Sequence, residues 1–177
     1  MSAVALASWP RQMMNMSGEG PSHLTPAVTL DGTDVENIDL HELARHAVAL
    51  LQATGHVKPS ELELALPSEP VSARVSRRRL EQVLFQLLAH AVAAQRGEAS
   101  STRAVRLEVE PQDDFGDHGP AFRVRYADPC AEPMPEAGLA MVSERARALG
   151  GRLGVRRHGR TGLTVTVELP DQGTASW

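Results

Sequence analysis

A single cysteine, Cys130, stands in 177 residues. One thiol excludes an intramolecular disulfide and a cysteine-based zinc site, and it points to a reducing compartment, the cytoplasm. Aromatic side chains make up 3% of the chain, too few for the stacking platforms that hold single-stranded nucleic acid. The core must then be built from leucine, valine and alanine. No apolar run is long enough to span a bilayer, and the opening "MSAVALASWPRQ" has no basic segment ahead of its short apolar stretch. The sequence therefore predicts neither a membrane span nor a secretion signal. Lysine is nearly missing, with Lys58 set against 17 arginines, and the net charge of −4 leaves no domain-wide positive field for polyanions. The basic runs "SRRRL" (Ser76 to Leu80) and "RRHGR" (Arg156 to Arg160) read as solvated arginines at a helix start and on a hairpin. Nucleic acid and membrane are accordingly not expected as partners.

What is present, 42% hydrophobic residues, suffices for one domain with its own core. Residues 1–36 show no sustained periodicity and read as a leader, residues 37–170 as the domain, and residues 171–177 as a tail. In "IDLHELARHAVALLQ", Leu40, Leu43, Ala44, Ala47, Val48 and Leu51 repeat at helical spacing, with Asp39 and Glu42 placed for a capping box. "ELELALP" and "VSARV" read as two short strands. From Arg77 to about Gln95, the apolar face Leu80, Val83, Leu84, Leu87, Leu88 and Ala91 predicts the strongest helix, N-capped by Ser76. "AVRLEVEP" and "AFRVRYAD" alternate as an antiparallel hairpin, with Phe122, Val124 and Tyr126 inward. A third helix from Gly138 or Leu139 to Leu149 ends on Gly150 and Gly151. "RLGVRR" and "GLTVTVELP" supply two final strands. Helices with one apolar stripe and strands with polar outer residues predict an α/β two-layer sandwich, a mixed and largely antiparallel sheet with three helices on one face.

With that order in place, the chain resembles the ATP-binding domain shared by bacterial sensor histidine kinases, Hsp90, DNA gyrase and MutL, the GHKL or HATPase superfamily with its Bergerat fold. The resemblance runs from about Ile38 to Pro170. "RRRLEQVLFQLLAHAVAAQ" is similar to the family's N-box helix, Arg-Leu-x-Gln-Val-Leu-x-Asn-Leu-Leu-x-Asn-Ala. "YADPCAEP" takes the place of Asp-x-Gly-x-Gly, "GLAM" that of Gly-Leu-Gly-Leu, and "ALGGRLGVRRHGRTGLTVTVELP" follows the C-terminal helix and strands.

The resemblance implies which positions to inspect. The two N-box asparagines, which in the family orient water or metal and bind the Mg²⁺ bridging the ATP phosphates, are here Gln86 and His90. Four residues apart, they form with Gln82 a polar stripe beside the apolar face. An amide oxygen suits Mg²⁺ and an imidazole does not, so ordinary Mg-ATP binding is not expected, and neither ATP nor Mg²⁺ is expected as a cofactor. His90 could ligate another metal or be a hydrogen-bonded or half-exposed histidine, the second being the plainer reading. The basic residue that follows the box in the family is replaced by Ala93 or Ala94. Asp128 corresponds to the aspartate that accepts the adenine amino proton, and it could equally cap the Asp-Pro turn. The loop glycines become Cys130 and Glu132, whose side chains oppose close backbone approach. The six residues Ala131 to Glu136 leave no room for the long ATP lid of sensor kinases. Gly138 opens the third helix, whose N-terminus could hold an anion weakly. Gly162 and Thr164 match the last motif loosely or simply serve the final hairpin. His41 and His46 read as exposed helix residues rather than phospho-acceptors. Met134 or Met141 could fill the pocket.

These substitutions together predict a catalytically degenerate, histidine-kinase-like domain. It would serve as a regulatory or protein-binding module in bacterial signal transduction, meeting a protein partner through the 128–141 surface. The alternative is a free-standing ATP-dependent kinase similar to the anti-sigma-factor kinases. A third reading is nucleotide binding through Asp128 without turnover.

Overall fold

The computed structural model describes residues 34–97, 104–113, 118–128 and 136–170. In chain order these hold β1 (Val35–Asp39), α1 (Leu40–Ala53), a 3-10 turn (Pro59–Glu61), β2 (Leu62–Ala65), β3 (Ser72–Ser76), α2 (Arg77–Gly97), β4 (Val105–Glu110), β5 (Ala121–Ala127), α3 (Glu136–Ala148), β6 (Arg152–His158) and β7 (Gly162–Glu168). Five strands form one sheet in the order β2-β4-β5-β7-β6, and β1 and β3 form a separate antiparallel pair. Within the larger sheet only β2 and β4 run parallel. That is the pairing that needs a crossover, and α2 lies within it.

Alternation assigns the two faces of the sheet. Val105, Leu107 and Val109 of β4, Phe122, Val124 and Tyr126 of β5, and Leu163, Val165 and Val167 of β7 are buried against the helices. The stripes of Leu40, Leu43, Ala44, Ala47 and Leu51 in α1, of Leu80 through Val92 in α2, and of Leu139, Val142 and Ala146 in α3 complete the same core. The expected two-layer sandwich, with three helices on one sheet face, is the observed one.

Local chemistry explains the element ends. Asp39 Oδ1 accepts from the backbone N–H of His41 at 2.7 Å and of Glu42 at 3.2 Å, capping α1. Glu42, read as the second half of a capping box, instead lies 3.8 Å from the Arg77 guanidinium. Ser76 Oγ accepts from Arg79 N at the start of α2 and donates to Asp34 Oδ2 at 2.7 Å. α3 closes on Gly150, whose φ of +78° is the left-handed conformation a glycine C-cap supplies.

Three expectations change. β1 begins at Val35, inside the stretch read as leader. Only Ile38 of its five residues is buried, so no alternation marked it. The two short strands expected around Leu62 and Val75 are present, β2 joining β4 and β3 joining β1. α3 starts at Glu136, so Gly138 lies within its first turn rather than opening it. His41 is buried at 8% exposure, whereas His46 is exposed as expected.

Candidate functional site

The polar stripe of α2 faces α3 and the end of β5, and each of its members meets a side chain of the protein itself. Arg145 Nη1 donates to Gln82 Oε1 at 3.1 Å. Gln86 Nε2 donates to the Met141 sulfur at 3.5 Å, a weak acceptor. His90 stands edge-on to Tyr126, with ring centroids 6.0 Å apart and planes at 89°, the T-shaped geometry that aromatic quadrupoles favour. Helical periodicity places Gln82, Gln86 and His90 in one line, and the packing of α2 on α3 and β5 sets that line against Arg145, Met141 and Tyr126.

Three polar atoms here are buried without a hydrogen-bond partner among the described residues: Gln86 Oε1, His90 Nε2 and Tyr126 OH. Native interiors leave few such groups, and each calls for a reason. Tyr126 holds its proton well above the usual phenol range, first because burial disfavours the phenolate and second because the Asp128 carboxylate repels it. Asp128 is itself 9% exposed. It sits where β5 ends, and its backbone N–H donates to Thr161 O at 2.7 Å. One residue earlier, Ala127 N donates to Gln95 Oε1 at 2.6 Å and ties the end of β5 to the end of α2.

Gln86 and His90 thus meet Met141 and Tyr126, and Asp128 lies at the end of β5, close enough to Tyr126 to repel its phenolate. Met141, a pocket filler in the sequence reading, is in contact with Gln86 yet 55% exposed. Tyr126 carried no site role in that reading, because alternation gives it the same signature as the core residues Phe122 and Val124. Gly162 and Thr164 do not join the group. They belong to the opposite parity of β7 from Leu163 and face the side of the sheet away from the helices. There Thr164 Oγ1 lies 3.0 Å from His158 Nε2, and a Cβ on Gly162 would come within 2.6 Å of His158 O. Both positions thus meet His158 across the β6–β7 hairpin. Cys130, Glu132 and Met134 lie outside the described residues. So do the other residues of 129–135, between Asp128 and α3.

The donor set is one amide, one imidazole, one phenol and one carboxylate. Among the described residues, no three histidine, cysteine or acidic side chains come together as a metal site. No described helix is long and apolar enough to cross a membrane.

No family model matches the chain. In sequence it is similar to the C4-dicarboxylate transport sensor protein DctB of Pseudomonas aeruginosa, at 28% identity over 76% of this chain and 24% of that protein. It is also similar to the sensor histidine kinase MtrB of Mycolicibacterium paratuberculosis, at 29% over 77% of this chain and 22% of that one. The chain thus spans about a quarter of the length of the curated relatives it matches. Among solved structures, the catalytic domain of histidine kinase ThkA superposes with a TM-score of 0.60 at 18% identity, over 77% of this chain and 97% of that domain. The fold of this chain is that of the catalytic domains of histidine kinases.

Proposed function

We propose that this chain is a catalytically degenerate histidine-kinase-like domain that acts by binding a protein partner in bacterial signal transduction, in the cytoplasm, without Mg-ATP turnover. The observation that carries the reading is the way the α2 stripe is occupied from within. Gln86 is engaged by Met141 and His90 by Tyr126, where the resemblance would place a metal and the phosphates it bridges.

The residues do not suit that group. Mg²⁺ needs several hard oxygen ligands in near-octahedral geometry. The second of the two helix positions offers an imidazole nitrogen, and the amide at the first donates its N–H₂ to a thioether. Phosphoryl transfer rests almost wholly on positioning and on charge stabilisation of the phosphates. No cationic side chain of the described part of α2 follows the stripe until Arg96, which is tied to Glu61. With the metal and phosphate contacts gone, the scaffold itself is what evolution has left to use, and the surface around 128–141 is the part to which a partner would dock.

Calorimetric titration tests this directly. The expected result is no heat of binding with Mg-ATP or ADP up to millimolar concentration. Saturable micromolar binding that depends on Mg²⁺ would overturn the reading in favour of a free-standing kinase. Binding of nucleotide without Mg²⁺ that Asp128→Asn abolishes would leave adenine recognition without turnover.

A further inference from the structure

The side of the five-stranded sheet that the helices leave uncovered carries an ordered set of charges. Strand register places Glu63, Arg106, Arg125, Thr164 and Arg156 in one transverse row across β2, β4, β5, β7 and β6. With strands ~4.8 Å apart, Arg106 and Arg156 stand roughly 14 Å from each other along this row, and Arg125 and Arg156 roughly 10 Å. Arg106 is directly opposite Arg125, an arrangement that costs stability unless something offsets it. Here one carboxylate serves both: Glu108 Oε1 lies 2.9 Å from Arg106 Nε, and Oε2 lies 3.0 Å from Arg125 Nη2. Glu63 adds only a 3.8 Å approach to Arg106. Arg156 is exposed and pairs with no carboxylate of the described residues. Between Arg125 and Arg156 the floor is low, because Thr164 is short and buried and the next row is closed by Gly154 opposite Thr166. The result is a trough of about 1240 Å³ whose lining includes four arginines: Glu108 bridges Arg106 and Arg125, Glu110 pairs with Arg123, and Arg156 is left to meet a carboxylate from outside.

We infer that this sheet face is a docking surface for an acidic polypeptide segment of a partner protein. Charge complementarity selects the sign, since guanidinium forks match carboxylates two by two. Shape selects the class: a trough open along its length cannot enclose a small molecule as pockets for such ligands do, whereas roughly 14 Å accommodates about four residues of extended chain at ~3.3 Å each. The row of Arg106, Arg125 and Arg156 lies on the opposite face of the sheet from the α2 stripe, and the trough reaches that stripe's neighbours only at its end, at Gln95 and Tyr126.

Fluorescence anisotropy of a labelled octaglutamate peptide tests the inference, with octaglutamine and an oligothymidylate of equal charge as comparators. The expected result is saturable binding of octaglutamate that weakens as salt rises, and no binding of octaglutamine. Arg156→Glu and Arg125→Gln should each weaken binding roughly tenfold, the size of effect that loss of one charge pair at a contact produces. Arg147→Glu, an equal charge change on exposed α3, should leave it within about twofold on the same scale. Thermal melting of Arg156→Glu and Arg156→Gln establishes that the variants are folded. Absence of peptide binding, binding indifferent to both Arg156 variants, or oligothymidylate binding as tight as the peptide would each overturn the proposal.

Discussion

His90 of α2 and Tyr126 of β5 meet edge to face, ring centroids 6.0 Å apart, and the polar tip of each is buried without a hydrogen-bond partner among the described residues. The pair joins the helix layer to the sheet at the point where Asp128 leaves β5. Its aromatic contact and buried area favour the folded state, while the two unpaired polar atoms oppose it.

The Tyr126 phenol provides a direct test. It is the single tyrosine of the chain, so absorbance of tyrosinate reports it alone. Burial, with Asp128 second, raises its folded pKa. A group whose folded pKa is raised stabilises the fold fully below its unfolded value, near 10 for tyrosine, and loses that contribution as pH climbs toward the folded value. The folded protein should therefore ionise above the free-tyrosine range, and its stability should fall above about pH 10. Tyr126→Phe should remove that part of the alkaline decline. Tyrosine ionising at its free value in the folded protein would show that the phenol is not held as described.

Restoring the family's letters at two positions should not restore nucleotide binding. Gln86→Asn with His90→Asn returns the amides, but Cys130 and Glu132 still stand at the loop positions, and Tyr126 still stands against position 90. Calorimetry with Mg-ATP is expected to remain silent for the double variant. Micromolar binding would mean that the N-box side chains alone had been the obstacle.

Glu61 and Arg96 form a two-point pair, Arg96 Nε to Oε1 at 2.8 Å and Nη2 to Oε2 at 2.7 Å, and Arg96 also donates to His56 O at 2.9 Å. The Arg96 hydrogen bond, then that from Lys58 N, lowers the Glu61 pKa to about 2 from an ordinary 4.5. A depressed carboxylate contributes stability above its unfolded pKa and loses it as pH falls through the folded value. Glu61→Gln should thus lower the melting temperature slightly at pH 7, and the difference from the parent should shrink between about pH 4.5 and 2. A difference that persists unchanged at pH 2 would assign the effect to something other than the charge.

Two substitutions probe the scaffold. Leu87 of α2 is 0% exposed, and Leu87→Ala should cost about 2–5 kcal/mol in denaturant unfolding through lost burial and a cavity. Gly162→Ala should cost about 1–3 kcal/mol, because the added Cβ would meet His158 O at 2.6 Å in the β6–β7 hairpin. A neutral Gly162→Ala would show that the hairpin yields without loss.

Much of the architecture was legible along the chain. The stripe from Leu80 to Ala91 marked α2 because six buried positions recur at helical spacing. The period-two runs of β4, β5 and β7 marked their inward faces for the matching reason. β1 escaped because Ile38 alone is buried in it, and the pairing of β2 with β4 escaped because register between distant strands leaves no local mark. At the site, Gln86, His90 and Asp128 were found through the resemblance of their flanking motifs. Tyr126 was not, since an inward aromatic in a strand reads as core whether it packs on leucine or on a histidine.

Periodicity and capping, which depend on residues within a turn or two of one another, determined by themselves the three helices, the strand faces and the layer order of this protein. The tertiary structure decided what no local rule contains. It set Tyr126 against His90, Met141 against Gln86, and Arg106, Arg125 and Arg156 in one row on the far side of the sheet from all of them. These are contacts between residues far apart in sequence, fixed by strand register and helix packing, and they exist only once the core has closed.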